Sequence, residues 1–274
     1  MLREMVASVI LFVSGFHGKE DAQPAMQPPV RRVVAIALDG VREKDVISSM
    51  TVVANRMRAL NYQVHWYGKE QDCRVSQPFN ISLPAYASIF SGRYDPRIRG
   101  NFWYGQLRHK TLFERFAKSQ LFSSWTPIKS VMSSIPAVKL FAHIVEQGIG
   151  QDDRVLELFI RSYSGGPFAF VHFVDADDFA HMRMKDSYKL LAEQEAYKAL
   201  QIMEHVDRLN RRDTLFIIMT DHSRGNGALW HSHGRGIPGS ENIWAMVVSP
   251  VPLENPLADC SHHGIHDLVV KTLK

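Results

Sequence analysis

Three apolar segments of the chain each end in acidic residues, and two of them also contain histidine near that end. The segments and the residues that follow them are VVAIAL (33–38) before Asp39, FAFVHFV (168–174) before Asp175, and TLFIIMT (214–220) before Asp221 and His222. Carboxylates are seldom buried unless they are paired or bound to a metal ion, and imidazole is a common metal ligand. One aspartate after a strand is commonly a helix cap, but three such ends with histidine favour a centre for divalent cations.

The spacing of further acidic and histidine residues adds candidate ligands to this centre. Asp177 and His181 are four residues apart, so on a helix both side chains can reach one ion. His231 and His233 are two residues apart in the segment WHSHG, and on an extended segment both point the same way. We favour His233 as the ligand because a glycine follows it.

Ser82 begins the segment SLPAYASIFSGR (82–93), in which a serine precedes a proline and an apolar periodic run. This pattern predicts a helix N-terminus, and by itself it is typical of a capping serine. A helix N-terminus also favours an anion, and a serine hydroxyl next to a metal ion becomes a nucleophile. From this pattern alone we expect Ser82 to lie at a helix N-terminus as a capping residue, and the choice between cap and nucleophile depends on the rest of the chain.

Several other polar residues are placed outside the predicted centre. Asp175 and Asp178 are interpreted as helix caps or turn residues, and SHHGIH (261–266) as a polar surface loop that leads into the last helix. Two cysteines are too few for a cysteine-rich zinc site. Cys73 and Cys260 could form one disulfide bond, a question that the sequence leaves open.

The apolar segments also predict the fold, because runs that are apolar throughout are typical of strands buried on both faces of a sheet. A fourth such run is IWAMVV (243–248), and amphipathic helices are expected over 186–210 and, shorter, over 111–118. The expected architecture is α/β, a single three-layer αβα domain with a largely parallel central sheet over residues 30–274. Ligand sites in such sheets lie beyond the carboxyl ends of the strands.

The N-terminal segment predicts export. Residues 6–16 (VASVILFVSGF) are apolar, follow the basic Arg3, and precede a weak Ala-x-x-Ala signal at residues 22–25. We interpret residues 1–25 as a signal peptide and linker, with a loosely docked N-terminal helix as the alternative. The expected location is therefore periplasmic or secreted. No segment reaches the roughly 18 apolar residues of a membrane span.

The composition and charge of the chain bear on one further function class, nucleic-acid binding. The chain has 274 residues, of which 45% are hydrophobic and 22% charged, and a formal net charge of +4. No block of Lys and Arg interleaved with aromatic residues is present, so no nucleic-acid-binding module is evident. The oligomeric state is not predicted.

Taken in order, the motifs resemble those of the alkaline phosphatase superfamily, in particular its nucleotide pyrophosphatase/phosphodiesterase-like branch. The matching segments, spread over residues 33–250, are Leu38-Asp-Gly-Val-Arg42, Ser82-Leu-Pro84 with Ser91-Gly92, Gly100-Asn101, Asp177-Asp-Phe-Ala-His181, Thr220-Asp-His222 and His233-Gly234. Each match is weak by itself, and their shared order makes the resemblance specific.

The resemblance implies a role for each of these residues. One metal ion would be bound by Asp177, His181 and His233, and the other by Asp39, Ser82, Asp221 and His222. The ions would be zinc, with manganese as the alternative. Ser82 would attack a small anionic phosphoester and form a covalent phosphoryl-serine intermediate, and Asn101 would contact the phosphoryl group. The implied function is a two-metal hydrolase of phosphate esters, of phosphodiesterase or phosphatase type.

Two alternative functions remain open at this point. Sulfatases of the same superfamily modify the Cys or Ser of a Cys/Ser-x-Pro-x-Arg motif, but here Tyr86 occupies the arginine position. A non-catalytic descendant would bind anions in a metal-stabilised fold. All seven candidate ligands are present, which favours an enzyme.

Overall fold

The computed structural model describes residues 29–68, 72–146, 148–209 and 212–274. The predicted signal peptide lies outside the described residues. Within them, no helix combines the length and the apolar character needed to cross a membrane.

Seven strands of the described chain form one mixed sheet with the order β2-β7-β6-β1-β5-β3-β4, in which β7 runs against the others. The strands are β1 (Arg32–Leu38), β2 (Gln63–Tyr67), β3 (Gln120–Ser123), β4 (Ala142–Ile144), β5 (Phe168–Phe173), β6 (Thr214–Met219) and β7 (Ala245–Ser249). The four apolar segments correspond to β1, β5, β6 and β7. The largely parallel sheet is thereby confirmed.

Helices cover both faces of this sheet. They are α1 (Glu43–Ala59), α2 (Ser82–Ser91), α3 (Leu112–Arg115), α4 (Ile128–Met132), α5 (Pro136–Lys139), α6 (Asp152–Ser162), α7 (Asp175–His181), α8 (Lys185–Arg208) and α9 (His262–Leu273). Alternate side chains of β1 enter two separate cores: Val34 and Ile36 pack with residues of α1, α6 and α8, and Val33 and Ala35 with residues of α2 and α9. The three-layer αβα architecture is confirmed, and burial on both faces explains why β1 is apolar throughout.

The interpretation of residues 261–266 as a surface loop is wrong. Helix α9 begins at His262, and Ser261 caps it by accepting a hydrogen bond from the Gly264 N–H group at 3.3 Å. His262 and His266 are buried. A polar sequence therefore lies in the first turns of a packed helix, because the Ser261 cap stabilises the helix start.

Cys73 and Cys260 form a disulfide bond that joins the loop after β2 to the loop before α9. The two residues are 187 positions apart, so the bond closes a long loop of the unfolded chain. We expect reduction to lower the free energy of unfolding by about 2–5 kcal/mol. Urea unfolding with and without reductant measures this. Reductant should have no effect on a variant with both cysteines replaced by serine, and an unchanged wild-type midpoint would contradict the prediction.

Three buried carboxyl groups, those of Asp152, Asp175 and Glu195, lie near the starts of α6 and α7. Asp175 accepts hydrogen bonds from three backbone N–H groups at the start of α6, at 2.9–3.1 Å, so it is a helix cap as expected. Asp152 accepts two from the start of α7, at 3.0 and 3.2 Å. Glu195 Oε1 accepts one from Ala176 at 2.8 Å, whereas its Oε2 has no donor among the described residues.

This carboxyl cluster is expected to make stability depend on pH. Burial and the Asp175 charge raise the pKa of Asp152 to about 7, and burial and the Asp152 charge raise that of Glu195 well above its usual value. The folded chain therefore keeps protons that the unfolded chain releases above roughly pH 4, so this contribution to stability declines as pH rises from about 4 to 7.

In the variant Glu195→Gln the side chain is neutral at every pH, so its burial does not require a bound proton. We therefore expect the free energy of unfolding of this variant, relative to that of wild type, to increase with pH. Urea unfolding at about pH 4 and about pH 8 measures the change. Glu193, an exposed residue of the same helix, provides the control as Glu193→Gln. A difference between Glu195→Gln and wild type that is the same at both pH values would contradict the prediction.

Candidate metal centre

The order of the strands brings the predicted ligands to one edge of the sheet. Strand β1 lies between β5 and β6 and is parallel to both, with Leu38 opposite Phe173 and Ala37 opposite Met219. The residues that follow the three strands therefore emerge side by side, as the sequence predicted.

Asp39, Asp221 and His222 form a buried group that we call the inner cluster. Each offers a ligand atom within 4.8 Å of the others. The Ser82 hydroxyl lies beside it, with Oγ 3.4 Å from Asp39 Oδ1 and 3.2 Å from His222 Nε2. These four residues are those assigned to one metal ion by the sequence motifs.

Asp177, His181 and His233 form a second group, the outer cluster. Asp177 and His181 are one turn apart on α7, and His181 Nε2 lies 3.1 Å from Asp177 Oδ2 and 2.9 Å from His233 Nε2. The His233 ring stacks on that of His222 with 3.9 Å between the ring centroids. The two clusters are therefore adjacent, and the outer one is nearer to solvent because His181 is half exposed.

Backbone carbonyl groups fix the orientation of two imidazoles. His233 Nδ1 lies 2.8 Å from the Asn80 carbonyl oxygen, and His222 Nδ1 lies 3.0 Å from the Ser223 carbonyl oxygen. Each Nδ1 therefore holds the proton and donates it, which leaves the Nε2 lone pair directed into its cluster. His231 Nδ1 instead lies 2.8 Å from the Ser232 hydroxyl, and His231 belongs to neither cluster.

The electrostatics of the two clusters fit divalent cations. Burial and the Asp39 charge raise the pKa of Asp221 to about 7, and the buried Asp221 Oδ2 has no hydrogen-bond partner among the described residues. Burial lowers the pKa of His233 to about 2, so this imidazole is neutral and can act as a ligand. A buried carboxylate oxygen without a hydrogen bond, beside a second carboxylate and imidazole nitrogens, is a donor set that suits zinc.

Asp39 is oriented by two buried side chains to which the sequence analysis gave no role. His172 Nε2 lies 2.9 Å from Asp39 Oδ2, and the Tyr86 hydroxyl donates to the same oxygen at 3.0 Å. His172 Nδ1 lies 2.8 Å from the Ser123 hydroxyl. Burial raises the pKa of Asp39, but the hydrogen bond from His172 and the attraction of the surrounding imidazoles outweigh it and leave that pKa below its usual value. Asp39 Oδ1 therefore remains an ionised acceptor that faces Ser82.

Ser82 is the first residue of α2, as predicted, but its hydroxyl does not cap the helix. The capping position is Ile81, and it forms no side-chain capping hydrogen bond. Burial of the whole of α2 between the sheet and α9 explains why the sequence is apolar after Ser82. The Ser82 hydroxyl therefore contacts the inner cluster and not the backbone of α2. A serine that only capped the helix would not make these contacts.

Asn101 lies next to Ser82. Its Oδ1 accepts a hydrogen bond from the Leu83 N–H group at 3.1 Å. Because Pro84 has no N–H group, Ser82 is the one residue among the first three of α2 whose N–H remains available to an anion. The Asn101 Nδ2 group makes no hydrogen bond within the described chain, so it is also available.

Arg224 ties the outer cluster to the end of β1, although its sequence context gave no indication of this. Its buried guanidinium contacts the Asp177 carboxylate, donates to the Gly40 carbonyl oxygen at 3.0 Å, and donates to the His231 carbonyl oxygen at 2.8 Å. Gly40 has φ +62°, and a Cβ atom there would collide with Asp177 and Arg224. The Asp-Gly pair after β1 is therefore required by close packing at the metal centre.

Three solved structures are similar to this chain over most of its length. The C-terminal periplasmic domain of EcEptC from Escherichia coli, in complex with Zn, has 10% identity and a TM-score of 0.61, covering 88% of this chain and 83% of that one. The periplasmic domain of phosphoethanolamine transferase EptC from Campylobacter jejuni has 10% identity and a TM-score of 0.61, covering 89% of each chain. Alkaline phosphatase from the Antarctic bacterium TAB5 has 10% identity and a TM-score of 0.54, covering 89% and 98%.

No protein-family model matches the chain, and no curated protein matches it in sequence. At a sequence identity of 10%, the similarity to these structures is evidence about the fold alone. The chain has the alkaline phosphatase-like α/β fold that the motifs indicated. One of the similar structures is named a phosphoethanolamine transferase and another an alkaline phosphatase, so the similarity in fold does not select the branch named from the motifs.

Proposed function

We propose that this chain, which has the alkaline phosphatase-like fold, is a two-metal hydrolase of phosphate esters that uses Ser82 as its nucleophile. The observation on which the proposal depends is the position of the Ser82 hydroxyl. It lies at a helix N-terminus, within 3.5 Å of both Asp39 and His222, and a second cluster of ligands lies next to these. A buried serine in this environment suits an alkoxide nucleophile.

The two clusters would hold the metal ions. The inner ion would be held by Asp39, Asp221, His222 and Ser82, and the outer ion by Asp177, His181 and His233. Bound ions would lower the pKa of the serine hydroxyl and neutralise charge on the ester and leaving oxygens. The nitrogen and oxygen donors suit zinc, with manganese as the alternative.

Each remaining group of the site has a role in this reaction. The Ser82 oxygen forms a bond to phosphorus as the bond to the leaving alcohol breaks, and the serine proton is lost to solvent while the leaving oxygen takes one up. Water then cleaves the phosphoryl-serine, which restores the hydroxyl and releases phosphate from a monoester or a phosphate monoester from a diester. The Ser82 N–H and the Asn101 amide would donate hydrogen bonds to the phosphoryl oxygens. His172 and Tyr86 would act as positioning residues by holding the Asp39 carboxylate.

A panel of four esters tests this function and its alternatives. The substrates are p-nitrophenyl phosphate, bis-p-nitrophenyl phosphate, a phosphonate ester and p-nitrophenyl sulfate, each with added zinc or manganese. We expect turnover of at least one phosphorus ester and none of the sulfate. Turnover of the sulfate alone would instead indicate a sulfatase, and bound metal with no turnover of any ester would indicate an anion-binding protein.

A second candidate function is transfer of the phosphoryl-containing group to an alcohol instead of water. It is favoured by the likeness in fold to two proteins described as EptC, one of them named a phosphoethanolamine transferase. Both reactions can share the covalent serine intermediate and differ in the acceptor. Addition of ethanol or glycerol to the ester panel distinguishes them, because a transferase forms a new ester at the expense of free phosphate.

We also infer that the chain is exported to the periplasm or secreted. The disulfide between Cys73 and Cys260 supports an oxidising compartment, and residues 6–16 have the pattern of a signal core. We expect the first ~25 residues to be absent from protein isolated from the native host. Intact-mass measurement tests this, and retention of Met1 in a cytoplasmic fraction would contradict it.

A further inference from the structure

A cleft rich in basic side chains lies at the same carboxyl edge of the sheet as the two clusters, and we propose that it binds a second anionic group of the substrate. This inference rests on the proposed function and narrows its substrate class to esters whose leaving part carries another phosphate. The cleft, which we call the basic cleft, has a volume of about 210 Å³ and is lined mainly by Arg42, Lys44, Asp45, Lys185, Lys189 and Trp230.

The basic cleft has an excess of positive charge. Its single carboxylate, Asp45, is paired with the Arg42 guanidinium and accepts a hydrogen bond from the Tyr188 hydroxyl at 3.0 Å. Lys44, Lys185 and Lys189 form no ion pair within the described chain, and all three are exposed. Three neighbouring ammonium groups without counter-ions repel each other and attract a polyanion.

The helices that carry these lysines increase this attraction. Lys44 is the second residue of α1, Lys185 is the first residue of α8, and Lys189 lies one turn further along α8. The N-terminal end of a helix has a positive partial charge, which adds to the charge of these lysines, and the first-turn acids Glu43, Asp45 and Asp186 offset part of it. The basic cleft thus receives positive charge from two long helices and from the side chains on them.

Shared residues connect the basic cleft to a second cleft, which lies on the side of Arg224. This second cleft of about 220 Å³ shares Arg42 and Lys44 with the basic cleft and is also lined by Ser223, Arg224 and the carboxylate of Glu43, which accepts a hydrogen bond from Trp66. Ser223 directly follows the inner-cluster residue His222, and Arg224 contacts Asp177 of the outer cluster. None of the seven candidate ligands lines either cleft, so the inferred substrate would have to extend from the clusters past Ser223 and Arg224 to reach the three lysines.

The chemistry of this arrangement specifies the ligand class. The inferred substrate has two phosphates: one is the reacting ester, and the other contributes charge to binding only. Such a substrate should lose affinity when the lysines are neutralised, whereas a monophosphate bound at the clusters should not.

A matched pair of sugar phosphates tests the inference by binding, with no turnover required. The protein is the zinc-loaded full chain with Ser82→Ala, and the ligands are fructose 1,6-bisphosphate and fructose 6-phosphate, titrated by calorimetry. We expect the bisphosphate to bind about tenfold more tightly than the monophosphate. Lys44→Gln, Lys185→Gln and Lys189→Gln, combined in this protein, should reduce that ratio to below about twofold.

A variant with the same change in net charge provides the control. It combines Lys110→Gln, Lys139→Gln and Lys271→Gln, none of which lines the basic cleft, and it should keep the full ratio. Equal ratios in the two triple variants would overturn the inference, as would the absence of any preference for the bisphosphate in the parent protein. The proposed function fails in a different way, by the absence of turnover in the ester panel with unmodified protein.

Discussion

Replacement of Ser82 by alanine is expected to lower the turnover of phosphate esters by several powers of ten, with the fold and most of the bound metal retained. The hydroxyl lies against Asp39 and His222, and no other serine or threonine hydroxyl of the described residues forms a hydrogen bond with a side chain of either cluster. Loss of a nucleophile that forms a covalent intermediate removes a step for which the site has no substitute. Metal content should fall only slightly, because Asp39, Asp221 and His222 remain.

Stability separates this role from that of a structural serine. Loss of a helix cap costs about 0.5–2 kcal/mol, but Ser82 does not cap α2, so we expect a smaller change in melting temperature. Ser88→Ala is a matched control, because it removes another buried hydroxyl of the same helix, one that donates to the Pro84 carbonyl oxygen. Near-normal turnover in Ser82→Ala together with a lower melting temperature would show that Ser82 is only structural.

Removal of divalent metal is expected to abolish turnover, and zinc or manganese should restore it. The buried Asp39 and Asp221 carboxyl groups repel one another, and Asp221 Oδ2 accepts no hydrogen bond from the described residues, so a cation would allow both to ionise. Elemental analysis of wild-type protein should give two ions per chain. Activity that is indifferent to chelators, in protein without tightly bound metal, would contradict the account.

Variants of single ligands should remove one ion at a time. Asp221→Asn weakens the inner cluster and His181→Ala the outer one, so each variant should bind one ion less than wild type. His231→Ala is the matched control, because His231 is close in sequence to His233 but belongs to neither cluster. A loss of metal in His231→Ala comparable to that in His181→Ala would show that the assignment of His233 is wrong.

Much of the sheet could be predicted because its central strands are buried on both faces. Helices cover both faces of the sheet, which explains why the segments are apolar almost throughout: VVAIAL, FAFVHFV and TLFIIMT. Because these strands are parallel, the aspartates that follow them all lie at the carboxyl edge of the sheet. Strand β2, QVHWY, was missed because it lies at the sheet edge and is mostly half-buried, so its pattern is mixed. Strands β3 and β4 are four and three residues long, too short for any periodicity.

The candidate ligands could be predicted because their positions relative to the strands follow a known order of motifs. The residues around them could not, because their contacts depend on tertiary packing. His172 is one polar residue within an apolar strand, and its contact with Asp39 depends on the register between β5 and β1. Arg224 is distant in sequence from Gly40 and Asp177, and no local pattern identifies it as their partner. The three lysines of the basic cleft come from two helices that only the fold places together.

The most direct test of the central claim is to trap the covalent intermediate. The protein is mixed with an excess of a phosphate ester that it hydrolyses, quenched in acid during turnover, digested and analysed by mass spectrometry. The account predicts a phosphoryl group from the substrate on the peptide that contains Ser82, at the position of that residue, and its absence in Ser82→Ala. Sustained turnover with Ser82 unmodified, or with the phosphoryl group on another residue, would contradict the account.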